Sequence, residues 1–584
     1  MFFPKADRAA PSLFFSRSTC PSAICSALFF LCYFGAVQSN GQVAQPDDQP
    51  QKIRGTVINA VTQAPIPRAL VVSSDNRFAM LTDAEGHFEF TPPDSDRTGD
   101  SGSNARSYVT FGGNCSGVRA RKPGFLDDCN EAPASSTSSG DDHTIALVPE
   151  ALIYGRVTLP DNDRLFGTRV ELFFRDIVEG LPRWIPVKVE VTNSAGEFRF
   201  SELRAGEYRL LMIERADNDP AVSTTAKSYG YPPVYYPAGA DFASAATIHL
   251  SAGQSVEADI SAVRQPYYRV AIPVANSDIA SALTVSVQAL SGPGYSLGYN
   301  PGAKRIEGLL PTGNYIVVAT AFGENSSSGT VNLKVNAAAA EGPTMNLVPG
   351  GSIALNVKED FTEKALGGTT SWNIGGKMIP VHGPRTYLQP RLESVDDLEP
   401  MRGGSPRPPT GPNDNSLVLE NLVPGHYYWL RLDTSRGYVA SAHLGDVDLF
   451  HQPFTVAGGA ATPVEIEMRD DTAEIDVSVT GMDSPSNEPG PFAPRAFVYC
   501  VPEPDSAGQF RQLDSSDAVK FGSTAMPPGT YRVLAFASQQ AHLPYRDVEA
   551  MKAYETKGPV VHLTAGEKTS VQVSLITDSD LPKE

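Results

Sequence analysis

The segment closest to an enzyme signature is Gly294-Tyr-Ser296-Leu-Gly298, a Gly-x-Ser-x-Gly match. In serine hydrolases such a serine rides a sharp strand-to-helix turn that lifts its hydroxyl toward the substrate. Residues 283–290 have the pattern of the strand, but Tyr299-Asn-Pro301-Gly302 follows, and a useful helix does not start through Pro and Gly. The match reads as coincidence. Hydrolytic zinc needs three protein ligands and an open position, but none of the nine histidines has a Glu three residues later and there is no His-Glu-x-x-His. The nearest approach, His443 with Asp446, reads as a solvated loop. The acidic stretches Asp94-Ser-Asp96 and Asp141-Asp142 lack calcium-loop spacing. The sequence therefore predicts no catalytic residue, no metal and no cofactor.

Binding offers more. Tyr229, Tyr231, Tyr235 and Tyr236 cluster with Pro232, Pro233 and Pro237, and flat rings on a stiff loop stack on sugar faces, with Trp184 as an assisting ring. The competing reading is that these rings fill the edge of a core, since aromatic side chains bury a large apolar area. Of the six cysteines, Cys20, Cys25 and Cys32 fall in the N-terminal segment. Cys115 and Cys129, 14 positions apart, are expected to form a disulfide in an oxidising compartment, and Cys500, among Val498, Tyr499 and Val501, reads as a buried thiol.

The elements that must carry these residues are strands. With 41% hydrophobic residues, 50 Gly and 48 Pro, the chain is ordered, rich in turns and poor in long helices. At 584 residues it exceeds what one core organises, so several domains, strung as beads, are expected. Lys5, Arg8 and Arg17 precede an apolar run of 15 residues (23–37) and then small or polar residues, the order of a secretory signal peptide spanning 1–41. A retained N-terminal membrane anchor is the alternative, though the run is short for a span. No membrane span is expected in the mature chain. Removal of 1–41 takes the formal charge from −19 to −21, a field that disfavours nucleic acid.

Four segments share one pattern: Leu203-Arg-Ala-Gly206-Glu-Tyr208, Leu310-Pro-Thr-Gly313-Asn-Tyr315, Leu422-Val-Pro-Gly425-His-Tyr427 and Met526-Pro-Pro-Gly529-Thr-Tyr531. Their glycines lie 107, 112 and 104 residues apart, a period that fits one small β-sandwich per unit and exceeds any solenoid repeat. Glycine permits a positive φ in the turn, and a strand starts toward the tyrosine, whose ring enters the core while its hydroxyl bonds backbone across the corner. Bacterial adhesin domains with a similar strand carry an isopeptide crosslink catalysed by a Glu four residues after the tyrosine. Here those positions are Met212, Ala319, Arg431 and Ala535, so that chemistry is not expected.

Two further units precede or overlap the first of these turns. Gly55-Thr-Val57, Ala64-Pro-Ile66-Pro, Leu81-Thr82-Asp83-Ala-Glu-Gly86-His-Phe88 and Lys122-Pro-Gly124-Phe125 recur in part as Gly155-Arg-Val157 and Thr192-Asn-Ser-Ala-Gly196-Glu-Phe198. Residues 53–264 thus resemble carboxypeptidase regulatory-like domains, and Tyr235-Tyr236-Pro237 through Gly253 resembles the tail that follows such domains in secreted proteins of soil bacteria. The resemblance implies prealbumin-like or carbohydrate-binding-like β-sandwiches used as non-catalytic appendages. The expected architecture is all-β: a linker at 42–52, then tandem Ig-like sandwiches at 53–148, 149–264, 265–350, 351–470 and 471–584. The expected role is a secreted or cell-surface binding or scaffold protein, with a polysaccharide or another envelope protein as partner. An envelope-associated spacer with a protein partner is the alternative, and a hydrolase a more distant one.

Overall fold

The computed structural model describes residues 53–580 apart from several stretches, the longest being 91–117, 127–137, 218–227, 396–404 and 483–495. The expected signal segment, the linker, Cys115, Cys129 and the Asp94-Ser-Asp96 loop lie outside the described residues.

Strands form wherever alternate residues are apolar, because successive side chains of an extended chain point to opposite faces. In Ala151–Thr158 the buried positions are Ala151, Ile153, Gly155 and Val157; in Gly313–Ala321 they are Tyr315, Val317, Ala319 and Ala321. Among the described residues the longest α-helix is the single turn Val548–Met551. The chain is all-β, as the sequence implies, and its strands build successive sandwiches. Their cores run from Val57 to Leu147, Ala151 to Ala262, Val270 to Leu347, Ile353 to Met468 and Ala473 to Val573.

Each sandwich closes in the same way. Its first and last strands lie side by side and parallel: Arg54 to Asn59 with Asp142 to Leu147, and Leu152 to Thr158 with Ser255 to Ser261. The third pairs Val270 and Val274 with Ala340 and Met345. The fourth pairs Leu355 to Asp360 with Val464 to Arg469, and the fifth pairs Glu474 to Thr480 with Lys568 to Ser574. Parallel neighbours require a long crossover, and here the remainder of each sandwich is that crossover.

The first two sandwiches share a second device. Thr82 is buried, its hydroxyl donating to Ile66 O (2.7 Å) and accepting from Ala69 N (2.9 Å); Thr192 repeats this with Leu165 O (2.7 Å) and Thr168 N (2.9 Å). The next residue caps the turn. Asp83 Oδ1 accepts from Glu85 N and His87 N, and Asn193 Oδ1 accepts from Ala195 N and Glu197 N. The recurring Thr-Asp/Asn-x-x-Gly string is thus a loop staple.

The expectation of separate beads needs correction at two places. Strand Ser228–Tyr231 lies within the second unit of the sequence, yet its backbone pairs with Gln265–Tyr267 and extends a sheet of the third sandwich, while the Tyr231 ring belongs to the second core. The second sandwich also touches the fourth and fifth. Its long hairpin, Arg169–Val178 and Leu181–Val191, projects its tip onto both of them.

Replacing Thr192 by Val keeps the side-chain shape but leaves a buried N–H and a buried C=O unpaired. The second sandwich should lose about 1–3 kcal/mol, read as a lower urea midpoint, and Thr82→Val should weaken the first by a similar amount.

Candidate functional site

The aromatic residues expected to stack on a ligand are placed by the core. Trp184 is 3% exposed and Tyr235 1%, and both pack with Phe173, Leu211, Phe242 and Ala245 in a small core on the outer face of the second sandwich. Tyr235 and Trp184 meet Phe242 edge-on at 5.7 Å, and Arg209 sits over the Trp184 ring at 4.6 Å. Tyr231 is buried in the main core, Tyr236 is half-buried against it, and half-buried Tyr229 lies under the Arg264 guanidinium at 4.3 Å. Trp184 and Tyr235 thus lie beneath the segment 232–247 and Tyr231 lies in the main core, where their apolar area is buried, while Tyr229 and Tyr236 stay partly exposed.

The corner tyrosines hold in three of four units. Tyr208 donates to Arg204 O (2.9 Å), Tyr315 to Pro311 O (2.9 Å) and Tyr531 to Pro527 O (2.7 Å), always four residues back. In the fourth unit Tyr427 is 56% exposed, and Tyr428 takes the corner, buried and accepting from Val423 N at 3.0 Å. Gly425 there sits in a turn ahead of strand Tyr427–Thr434, whereas Gly206, Gly313 and Gly529 each open their strand, so the inward-facing position moves one residue on. The glycine requirement also differs between units. Gly206 has φ +143°, but Gly313 shows no positive φ; a Cβ there would lie 2.8 Å from the Tyr315 hydroxyl. Space, rather than dihedral freedom, excludes a side chain at Gly313.

Ser296 lies between strands Gly292–Tyr295 and Leu297–Asn300, with no helix after it, and its amide donates to Glu214 Oε2 at 3.0 Å. Burial pushes Glu214 up to about 7. Burial likewise pushes the Cys500 thiol up to about 12, which suits an inert core side chain. His443 and Asp446 are exposed, and among the described residues no cluster of His, Cys, Asp or Glu could hold a metal ion.

What sequence reading missed is an ion cluster where three sandwiches meet. Glu393, 7% exposed on strand Leu388–Ser394 of the fourth, binds Arg183 of the second through Oε1 (3.3 Å) and Arg546 of the fifth through Oε2 (2.8 Å). Arg183 also donates to the carbonyls of Val395 (2.8 Å) and Ser394 (3.1 Å), and the Arg546 guanidinium lies over the Trp429 ring at 5.0 Å. Burial lowers the Arg546 pKa, with Glu393 opposing the shift. Arg546 stays charged, since a guanidinium is not deprotonated in proteins. The hairpin tip completes the joint: Arg546 N donates to Gly180 O (3.0 Å), and Tyr545 packs so tightly that a Cβ on Gly180 (φ +78°) would lie 2.7 Å from its ring. Arg431 lies near Glu179 (3.6 Å) and the Tyr545 hydroxyl (3.3 Å). Beside this joint, His542 of the fifth sandwich contacts Asp176 of the second at 2.7 Å, and Arg204 holds the same carboxylate at 2.8 Å. Pairs such as Arg183–Glu393 and Arg546–Glu393, 210 and 153 positions apart, leave no local pattern in the sequence.

No family model and no curated relative matches the chain. Among solved structures, the Bacillus anthracis TIE protein is 10% identical over 70% of this chain and 69% of its own, with a TM-score of 0.14. The minor pilin of Streptococcus agalactiae is 14% identical over 37% and 97%, TM-score 0.17, and the major pilin subunit of Bacillus cereus 11% over 73% and 99%, TM-score 0.12. These scores are far below those of a shared global arrangement, and nothing about this chain rests on them.

Two outcomes test the site. Tyr428→Phe should lower the stability of the fourth sandwich by about 1–2 kcal/mol, while Tyr427→Phe should leave thermal unfolding unchanged. The His542–Asp176 contact should give the joint a pH window. The hydrogen bond to Asp176 raises His542 above 6.5 against the effect of burial, so its stabilisation is full below 6.5 and is lost as pH rises through the folded value. Burial pushes Asp176 upward, but His542, Arg204 and the Ile177 amide outweigh it and hold it below 3.8, so its contribution is present above 3.8 and falls away in acid. Thermal stability should therefore decline from mildly acidic to mildly alkaline pH, and His542→Gln should flatten that decline.

Proposed function

We propose that the chain is a non-catalytic architectural protein exported to the cell envelope or surface, where its partner is another protein. The observation that carries this reading is the interlocking of sandwiches of one design: each closes first strand on last, and three of them share a buried carboxylate. Side chains that could do chemistry take structural duties instead. Glu214 ties a loop of the third sandwich to the second through the Ser296 amide, and the corner tyrosines bond carbonyls. The charged segment and apolar run ahead of residue 41 support export, and among the described residues no helix is long and apolar enough to cross a membrane.

The division into units at 53–148, 149–264, 265–350, 351–470 and 471–584 belongs to the same proposal. The assignment of the first two to the carboxypeptidase regulatory-like type does too, supported by their shared threonine staple. Burial of Trp184, Tyr231 and Tyr235 favours a protein partner over a sugar, because the rings offer no open stacking face. Chemical crosslinking of intact cells followed by fractionation tests the reading. Protein adducts should form in the envelope fraction and resist competition by soluble glycans; recovery only in the cytoplasm, or turnover of ester or peptide substrates abolished by Ser296→Ala, would overturn it.

A further inference from the structure

The joint between the second, fourth and fifth sandwiches closes a loop in the chain, because the third and fourth sandwiches lie between its contributors in sequence. Tension applied between the chain ends enters the second sandwich at its first strand, Ala151–Thr158, and leaves the fifth at its last, Lys568–Ile576. Between them two paths run in parallel. One is the covalent chain through the third and fourth sandwiches, and the other is the direct contact of the hairpin tip at Glu179 and Gly180 with Tyr545 and Arg546. The direct contact bypasses the third and fourth sandwiches, so they are shielded from the load while it holds. It consists of few bonds: Arg546 donating to the carbonyls of Gly180 and Glu179, and His542 on Asp176, with Glu393 of the fourth sandwich bracing it through Arg183 and Arg546.

The sandwiches are built to hold longer. In a parallel pair formed by the first and last strands, pulling on the two chain ends draws the strands in opposite directions along their length. Every ladder bond is then strained together. Pulling on neighbouring ends of the same pair would break the bonds one after another. The fifth sandwich has the longest run, seven consecutive partners from Glu474↔Lys568 to Thr480↔Ser574, fastened by Lys568 to Glu474 and Asp476. The first and fourth have six partners each.

From these two observations together we propose that the protein is a load-bearing tether that lengthens in two stages: the joint around Glu393 opens first and releases the folded third and fourth sandwiches into the load path, and the sandwiches then resist in shear. The inference rests on contacts within the chain and not on where the protein resides, so finding it away from the cell surface would leave it standing.

Single-molecule stretching of the full chain, held at its two ends, tests it. The wild type should show an early low-force event whose length gain is far below the roughly 35 nm that unfolding a sandwich of about 105 residues releases. Sandwich-sized events should follow at higher force. Gly180→Val, which drives a side chain into Tyr545, and Glu393→Gln should each remove the early event and leave the later forces unchanged. Absence of an early event in the wild type, or its persistence at the same force in both variants, would overturn the first stage. Handles moved to positions 474 and 568 should unfold the fifth sandwich at a clearly lower force than handles at the chain ends. Equal forces would overturn the second.

Discussion

Every sandwich here depends on bringing its first strand beside its last. About a hundred residues must be arranged before that parallel ladder forms, and loop closure grows costlier with length, although slowly. The ladder joins the ends of each sandwich and fixes its outline. The apolar faces of those strands, such as Ala151, Ile153 and Val157 or Ala473, Ile475, Val477 and Val479, form the floor of the cores. The corner tyrosines and threonine staples hold the crossover in a shape that lets the ends meet.

Much of this was legible because it repeats locally. A Gly-x-Tyr turn or a Thr-Asp-x-x-Gly loop is a few residues long, and its hydrogen bonds close over short separations, 4 positions for Tyr531 to Pro527 and 16 for Thr82 to Ile66. A repeat seen as letters is nonetheless blind to a one-residue shift. The string at Gly425 looks like its three siblings, yet the strand begins after the glycine and not on it, so Tyr428 replaces Tyr427. The burial of Trp184 and Tyr235 was hidden for another reason. Proline-rich, tyrosine-rich sequence looks like a loop held in water, and only the fold-back of 232–247 over the sheet reveals that Trp184 and Tyr235 are interior.

The ion joint was illegible in principle. Glu393, Arg183 and Arg546 sit in unremarkable strings, and charged residues are usually solvated. Only the hairpin tip, with a tight turn at Glu179 and Gly180, brings them together. A buried carboxylate between two guanidiniums stabilises weakly on balance, since desolvation offsets most of the attraction, whereas removing one partner leaves an uncompensated buried charge.

The strand Ser228–Tyr231 has a consequence for how such a chain could be duplicated or recombined. Its ring completes the core of the second sandwich while its backbone edges a sheet of the third. A genetic exchange cutting at the apparent boundary near 265 would take the strand with one neighbour and deprive the other of it. The second and third sandwiches are therefore expected to be inherited as a pair, so the smallest transferable piece around that boundary is larger than one repeat.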